Sequence, residues 1–459
     1  MDDTAFSSLP LAPALVANLE GMGYVTMTAI QAAALPRALA GVDLIGQAKT
    51  GSGKTAAFAL PALTKLNPRD FGVQTLVLCP TRELANQVSS EMRRLARYQQ
   101  NIKVVTLCGG QSIGPQIGSL EHGAHVIVGT PGRIKDHLRK KTLSLARVNT
   151  LVLDEADRML EMGFVDDMET IIAATPTSRQ TLLFSATFPD NIQLLSEHFQ
   201  NSPERISVAV LHDEQQITQQ FYICERSQRL VALEKVLIHV QPAAVVVFCN
   251  TKQLVRDVCD FLNRDGVRAF ALHGDMEQPD RERVLIQFKQ LSCLILVATD
   301  VAARGLDIED LPAVINFELP RDAEVYVHRI GRTGRSGKSG TAISLITDAE
   351  IFKLKGIGER LENTPKIEAI EQVPDHNRGL PAPAYVTLLI QGGRRDKLRP
   401  GDILGALTGD GGIKGDSVGK ITVTDNTSYV AIERTQQDKA LKSLREGKIK
   451  GRKFKVRRS

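Results

Sequence analysis

The sequence predicts an α/β protein. Two tandem parallel-sheet domains, residues 1–208 and 217–365, are followed by a small α+β domain, residues 383–459. Three observations carry that expectation. Short continuous apolar runs alternate with helix-favouring stretches between Asp43 and Phe184, as in strands buried on both faces beneath helices. The same alternation returns between Ala244 and Ile346. Beyond Ala384 the order changes to strand, helix, two strands, helix, strand, which belongs to an α+β unit. A length of 459 residues also accommodates about three domains.

In the first domain the expected strands are Asp43–Gly46, Thr75–Cys79, Val104–Cys108, His125–Gly129, Thr150–Leu153 and Thr181–Phe184. Ligands of parallel sheets bind beyond the carboxyl ends of the strands. The polar clusters that end these runs are therefore the candidate site: AKTGSGKT, PTREL, CGGQ, TPGR, DEAD and SAT. Ala48, Lys49, Thr50, Gly51, Ser52, Gly53, Lys54 and Thr55 lie between an apolar strand and an Ala-rich helix, the context of a phosphate-binding loop. Gly51 and Gly53 let successive N–H groups point at one anion, and the following helix adds its positive end. Lys54 suits the β- and γ-phosphates, and the Thr55 hydroxyl suits Mg²⁺. Position 48 is Ala where the general pattern has Gly. Asp154 and Glu155 end the run NTLVL. A carboxylate delivered there would hold hydrated Mg²⁺, and its neighbour would activate a water.

These motifs, in this order, resemble those of the DEAD-box RNA helicases, whose phosphate loop also opens with Ala. The resemblance implies two RecA-like domains, ATP and Mg²⁺ as cofactors, and RNA as partner. It implies that Gln31 of GYVTMTAIQ reads the adenine edge and that an aromatic, Phe6 or Tyr24, stacks on the ring. The usual Pro-Thr-Pro of that motif is here Met27-Thr28-Ala29. Asp157, Ser185, Thr187, His328 and Arg329 would couple hydrolysis to RNA. Arg82, Gly109, Gly110, Thr130 and Arg133 would face RNA from the first domain.

A polar stretch near Ala209–Gln216 reads as the interdomain linker. The second domain's strands are expected at Ala244–Cys249, Arg268–Leu272, Cys293–Ala298, Ala313–Phe317 and Thr341–Ile346, with no phosphate loop. HGDMEQPDR, TDVAARGLD and YVHRIGRTGR end these runs and again match the family. Arg329, Arg332 and Arg335 recur every three residues, which on a helix would align them on one face. The first domain offers no Arg placed to neutralise the γ-phosphate from the far side, so Arg332 and Arg335 read as arginine fingers. By resemblance Gly305 and Asp307 would contact the ribose, and Thr251, Gln278, Arg281 and Thr299 the RNA.

Residues 366–382 read as a second linker. The last domain is expected to place strands at Tyr385–Ile390, Lys420–Val423, Tyr429–Glu433 and Lys453–Val456, with helices near Pro400–Leu407 and Gln436–Leu444. That order resembles an RNA-recognition motif, but SYVAIER supplies only Tyr429 for base stacking. From Pro383 onward there are 17 Lys and Arg against 8 Asp and Glu, a polyanion-binding balance. RNA is expected to dock on Arg394, Arg395, Lys397 and Arg399 and on Lys448, Lys450, Arg452, Lys453 and Lys455 rather than flat on the sheet. With this tail the resemblance implies binding to a hairpin of large-subunit (23S) rRNA and local duplex opening during ribosome assembly.

The six cysteines are scattered in strand-like runs, as buried reduced thiols of a cytoplasmic protein would be. The acidic N-terminus shows no secretory signal, and no apolar run is long enough to cross a bilayer. The motifs alone do not separate a strand-displacing helicase from an ATP-dependent RNA clamp, and RNA-against-DNA stimulation would exclude a DNA translocase.

Overall fold

The computed structural model describes residues 4–48, 52–185, 188, 190–207, 217–264, 268–303, 311–334, 339–361, 365–376, 378–380, 382–409 and 411–459; the side chains at 190, 191, 360 and 361 are excepted. The chain divides after Leu211 into two compact units.

The first unit is built on a seven-stranded sheet of β1 (Leu44–Gln47), β2 (Thr75–Leu78), β3 (Val104–Leu107), β4 (Val126–Gly129), β5 (Thr150–Asp154), β6 (Gln180–Ser185) and β7 (Glu204–Ser207). Its order is β3-β4-β2-β5-β6-β1-β7, and every pairing is parallel. Side chains alternate between two cores, as a pleated strand requires. Leu76 and Leu78 enter one cluster, while Val77 and Cys79 enter the other. Each strand delivers its polar end to the same edge, because the strands are parallel.

The second unit contains two sheets. The larger comprises β8 (Ile217–Ile223), β9 (Val245–Cys249), β10 (Ala269–Leu272), β11 (Ile295–Thr299), β12 (Ala313–Asn316), β13 (Gly340–Ile346) and β14 (Ile367–Ala369). Its order, β10-β11-β9-β12-β13-β8-β14, is also wholly parallel. Part of the stretch expected as a linker, Ile367–Ala369, is thus an edge strand beside β8. The following residues strap onto the helix Arg229–Val240. Lys235 pairs with Asp375 at 3.0 Å, and Arg378 donates to the carbonyls of Ile238 and His239.

The smaller sheet is antiparallel: β15 (Tyr385–Ile390), β16 (Val418–Val423), β17 (Ser428–Glu433) and β18 (Val456–Arg458), in the order β16-β17-β15-β18. Helices Pro400–Thr408 and Gln437–Glu446 cover the face carrying Leu388, Ile390, Val430 and Ile432. The opposite face is covered as well. Gln290, just past the helix Gln278–Lys289, donates to the carbonyls of Lys420 and Tyr429 at 3.0 and 3.2 Å. Thr387 donates to the Gln290 carboxamide at 2.8 Å and meets the Ser292 hydroxyl at 2.6 Å. Tyr429, the one aromatic of the stacking position, is consequently only 6% exposed.

No helix among the described residues is long and apolar enough to cross a membrane, and all six cysteines are buried and free.

Candidate functional site

In the first unit the sheet order sorts the motifs. The ends of β1, β5 and β6 carry the phosphate loop, DEAD and the Ser185 turn; the ends of β2, β3 and β4 carry PTREL, the Gly109–Gly110 doublet and TPGR. The phosphate loop is tied to its neighbours through backbone atoms. The Ala48 N–H donates to the Ser185 carbonyl at 3.1 Å. Gly53 sits in the left-handed region, φ +92°, and caps the helix Lys54–Thr64. Its carbonyl accepts from Gln31 Nε2 at 3.0 Å, and the Ser52 carbonyl accepts from Thr28 Oγ1 at 2.7 Å. Gln31 Oε1 in turn accepts the Thr28 N–H at 2.9 Å. The residue expected to read adenine therefore braces the loop; its amide keeps one further hydrogen and one lone pair for a base. Lys49, Thr50, Gly51 and Thr187 lie outside the described residues.

Phe6 and Tyr24 do come together, edge to face with ring centroids 5.9 Å apart. Phe6 is buried in the core, 3% exposed, and the Tyr24 hydroxyl donates to Glu91 at 2.7 Å. Burial, reinforced by Glu91, raises the Tyr24 phenol well above its ordinary range.

The chemistry-bearing side chains are buried. Lys54, Asp154, Glu155 and Asp157 are each less exposed than 7%. Burial pushes the Asp154 carboxyl up to about 7, with Lys54 pulling it down and Glu155 pushing it further up. Lys54 Nζ, Asp154 Oδ1 and Ser185 Oγ are buried without a hydrogen-bond partner among the described residues. A buried charge left without hydrogen bonds is costly, so these atoms mark a place shaped for a charged ligand, and the set fits a nucleotide triphosphate. Glu155 is held at φ +52°, a backbone state that non-glycine residues keep only where the surroundings impose it. No sequence signal announces that strain.

On the other half of the edge, Thr81 caps the helix Arg82–Leu95 by accepting the Leu84 N–H at 3.3 Å. Gly110 has φ +69°, and a Cβ there would lie 2.0 Å or less from the Arg82 guanidinium carbon and nitrogens. Arg82 thus rests on bare backbone. Arg133 donates to the Gln111 carbonyl at 2.8 Å, while Thr130 is the residue just before the helix Pro131–Arg139. These five expected RNA-facing residues occupy one region of one unit.

In the second unit the residues expected at RNA again lie where strands end. Thr251 caps the helix after β9, Thr299 ends β11, and Gln278 and Arg281 lie on the helix after β10. Arg281 donates to the Ala302 carbonyl at 2.7 Å. The arginine row departs from expectation. The helix Ala323–Ile330 ends before Arg332, so Arg329 and Arg332 do not share a helical face; Gly331 stops the helix between them. Arg335, Gly305 and Asp307 lie outside the described residues. Arg329 is a buried tie. It contacts both Asp300 oxygens at 2.6 and 2.7 Å, Asn250 at 2.8 Å, Asn316 at 3.1 Å and the Glu318 carbonyl at 2.7 Å. All five guanidinium hydrogens are used. His328 is half-buried and Arg332 is buried.

In the C-terminal sheet domain, Arg394, Lys397, Arg399 and Lys450 converge on a cavity of about 770 Å³. Lys420 joins them there, and Leu398, Ile421 and Val423 add apolar lining. Lys420 was missed by sequence reading because it sits on a strand remote from the basic clusters. Arg395, Lys448, Arg452, Lys453 and Lys455 are exposed but do not line this cavity.

Residues 28–195 match the DEAD/DEAH box helicase family, residues 228–337 the helicase conserved C-terminal domain, and residues 387–458 the DbpA RNA binding domain. The chain is 51% identical over 457 residues to ATP-dependent RNA helicase DbpA of Escherichia coli, covering 99% of both chains. This chain belongs to the DEAD-box ATP-dependent RNA helicases. The DEAD-box helicase CshA of Bacillus cereus is 46% identical over 355 residues, 77% of this chain and 67% of that one. A solved structure of Saccharomyces cerevisiae Dbp5 bound to RNA and ADP BeF3 covers 80% of this chain and 96% of its own, with a TM-score of 0.73 and 30% identity. As a DEAD-box helicase the protein is an RNA-dependent ATPase. Both seven-stranded sheets are RecA-like, and the appended antiparallel domain is RNA-binding.

Proposed function

We propose that this helicase opens short duplexes in large-subunit (23S) rRNA during ribosome assembly in the cytoplasm, with its C-terminal domain choosing the site and Mg²⁺-bound ATP driving the cycle. The observation that carries the choice of site is the cationic cavity beside Lys420. The open face of the C-terminal sheet is covered around Tyr429, so base stacking there is blocked. Five cations around an apolar-lined hollow offer phosphate clamps with room for unstacked loop nucleotides. A hairpin of the rRNA, within the maturing large subunit, is the partner this reading assigns.

The roles of the core side chains follow from their chemistry. Lys54 neutralises the terminal phosphates, and the Thr55 hydroxyl and Asp154 would hold Mg²⁺. Bound there, the metal would supply charge compensation along the phosphates. Glu155 orients the attacking water and takes its proton. Arg332, with Arg335, stabilises charge on the transferring group. Ser185 and Asp157 pass the state of the phosphate loop to the RNA-facing residues. Phosphate and sugar contacts from Arg82, Arg133, Arg281 and their neighbours leave sequence unread in the core.

The test is strand displacement of a short duplex placed beside the rRNA hairpin. Release with ATP but not with a non-hydrolysable analogue supports a helicase. Tight ATP-dependent binding without release of the strand would make the protein a clamp instead.

A further inference from the structure

Beneath the Gly109–Gly110 doublet lies a buried polar chain that the ATPase chemistry does not use. Gln116 Nε2 donates to the Cys108 carbonyl, the last before the doublet, at 2.9 Å. Gln116 Oε1 then faces Nε2 of His137 at 3.3 Å, and Nδ1 of the same ring faces the Thr142 hydroxyl at 2.8 Å. An amide oxygen only accepts, so His137 Nε2 carries the hydrogen. Its Nδ1 is then the acceptor, and Thr142 donates to it. The result is a one-way relay, Thr142 to His137 to Gln116 to Cys108, with the His137 carbonyl, 3.3 Å away, a second acceptor for the Thr142 hydroxyl. His137 is fully buried and Gln116 is 8% exposed. Burial, with Arg133 nearby, lowers the His137 pKa and keeps the ring neutral.

The relay joins two elements whose surfaces carry RNA-facing residues. His137 lies on the helix Pro131–Arg139, which also bears Arg133. Gln116 lies on the short helix Gly114–Leu120 that follows the doublet. Arg133 closes the loop from above through the Gln111 carbonyl. Gly110 must keep φ +69° and a bare α-carbon for the Arg82 guanidinium to lie where it does. Any drift of the β3 end would move both the doublet and its arginine.

We propose that Gln116 and His137 are positioning residues for RNA: they fix the end of β3 so that Arg82, the doublet and Arg133 present one preformed grip. The proposal rests on the reading that this face holds RNA. Losing Gln116 removes the side-chain donor to the Cys108 carbonyl, and losing His137 leaves the Gln116 amide oxygen without the donor that holds it; either frees the doublet to shift, a loss worth about tenfold in RNA engagement.

The experiment uses the full chain and single-stranded oligouridine, with ATP turnover as readout. Gln116→Met and His137→Leu break the relay. His137→Gln restores a donor at the Nε2 position. Arg82→Ala tests the face itself. The expected result is an RNA concentration for half-maximal stimulation raised about tenfold in Gln116→Met and His137→Leu and returned towards wild type in His137→Gln. Turnover at saturating RNA and ATP affinity without RNA stay as in wild type. A purely structural role would instead lower the thermal midpoint of Gln116→Met and leave its half-saturation unmoved while Arg82→Ala raises it; that result overturns the proposal. If Arg82→Ala also leaves half-saturation unmoved, the RNA reading of this face falls and takes the proposal with it.

Discussion

Glu155 occupies a backbone conformation that its side chain does not favour, φ +52° and ψ +53°, at the start of the helix Ala156–Glu161. The turn is what brings a second carboxylate beside Asp154 after the strand has ended. Such strain costs on the order of 1–3 kcal/mol and persists because β5 is buried and paired on both sides. Glu155→Gln keeps shape and polarity but cannot accept a proton. ATP binding should survive while RNA-stimulated turnover falls by about 10²–10⁴-fold; equilibrium nucleotide binding and steady-state turnover measured on the same preparation check it. Gly53 is a second residue-scale constraint. A Cβ there would lie 2.4 Å from Gln31 Nε2, in a left-handed backbone state. Gly53→Ala should therefore weaken ATP binding by about tenfold or more, with the effect visible before any RNA is added.

At the scale of elements, the strands were legible where burial on both faces made them continuously apolar. Thr75–Cys79 and Val104–Cys108 were expected within one residue of the strands β2 and β3. The strand β8, ITQQFYI, was not, because its first half is polar and its pairing with β13 and β14 is a tertiary fact. The last strand was expected at Lys453–Val456 and pairs instead at Val456–Arg458. A run of lysines and arginines has no periodicity to set a register, so the register comes from β15. The arginine row misled for a related reason: three-residue spacing implies a shared face only inside a helix, and Gly331 ends the helix first. What the structure adds is that Arg329 ties the ends of β9, β11 and β12 through Asn250, Asp300 and Asn316. Removing that guanidinium strands the Asp300 carboxylate, whose side chain is 21% exposed, so the loss falls below the about 3–5 kcal/mol of a fully buried pair. Arg329→Gln should lower the calorimetric unfolding temperature of the full chain as well as its turnover. An unchanged unfolding profile with lost activity would make the residue a reader of ligand rather than a tie.

Across the whole molecule, both parallel sheets present motif residues where their strands end. The first parallel sheet sends the residues expected at phosphates to the ends of β1, β5 and β6 and those expected at RNA to the ends of β2, β3 and β4; in the second, the described residues expected at RNA lie after β9, β10 and β11. That the motifs share one edge was readable from the sequence, since parallel strands all end at the same edge; their division between two halves of it rests on the strand order. The covered face of the C-terminal sheet was not readable, because it depends on Gln290 and Ser292, far away in sequence. Nor was Lys420, which joins the basic cluster only when β16 folds beside the loop after β15. On the proposed function, the core leaves RNA sequence unread and the appended cavity makes the selection.

The most direct test of that separation is RNA-stimulated ATP turnover of the full chain and of Lys420→Glu, titrated with a 23S rRNA fragment carrying the hairpin and with an unrelated RNA of equal length. Wild type should reach half-maximal turnover at a far lower concentration of the rRNA fragment. Lys420→Glu should lose that preference while keeping its response to the unrelated RNA. Equal half-saturation of wild type by both RNAs would contradict the account.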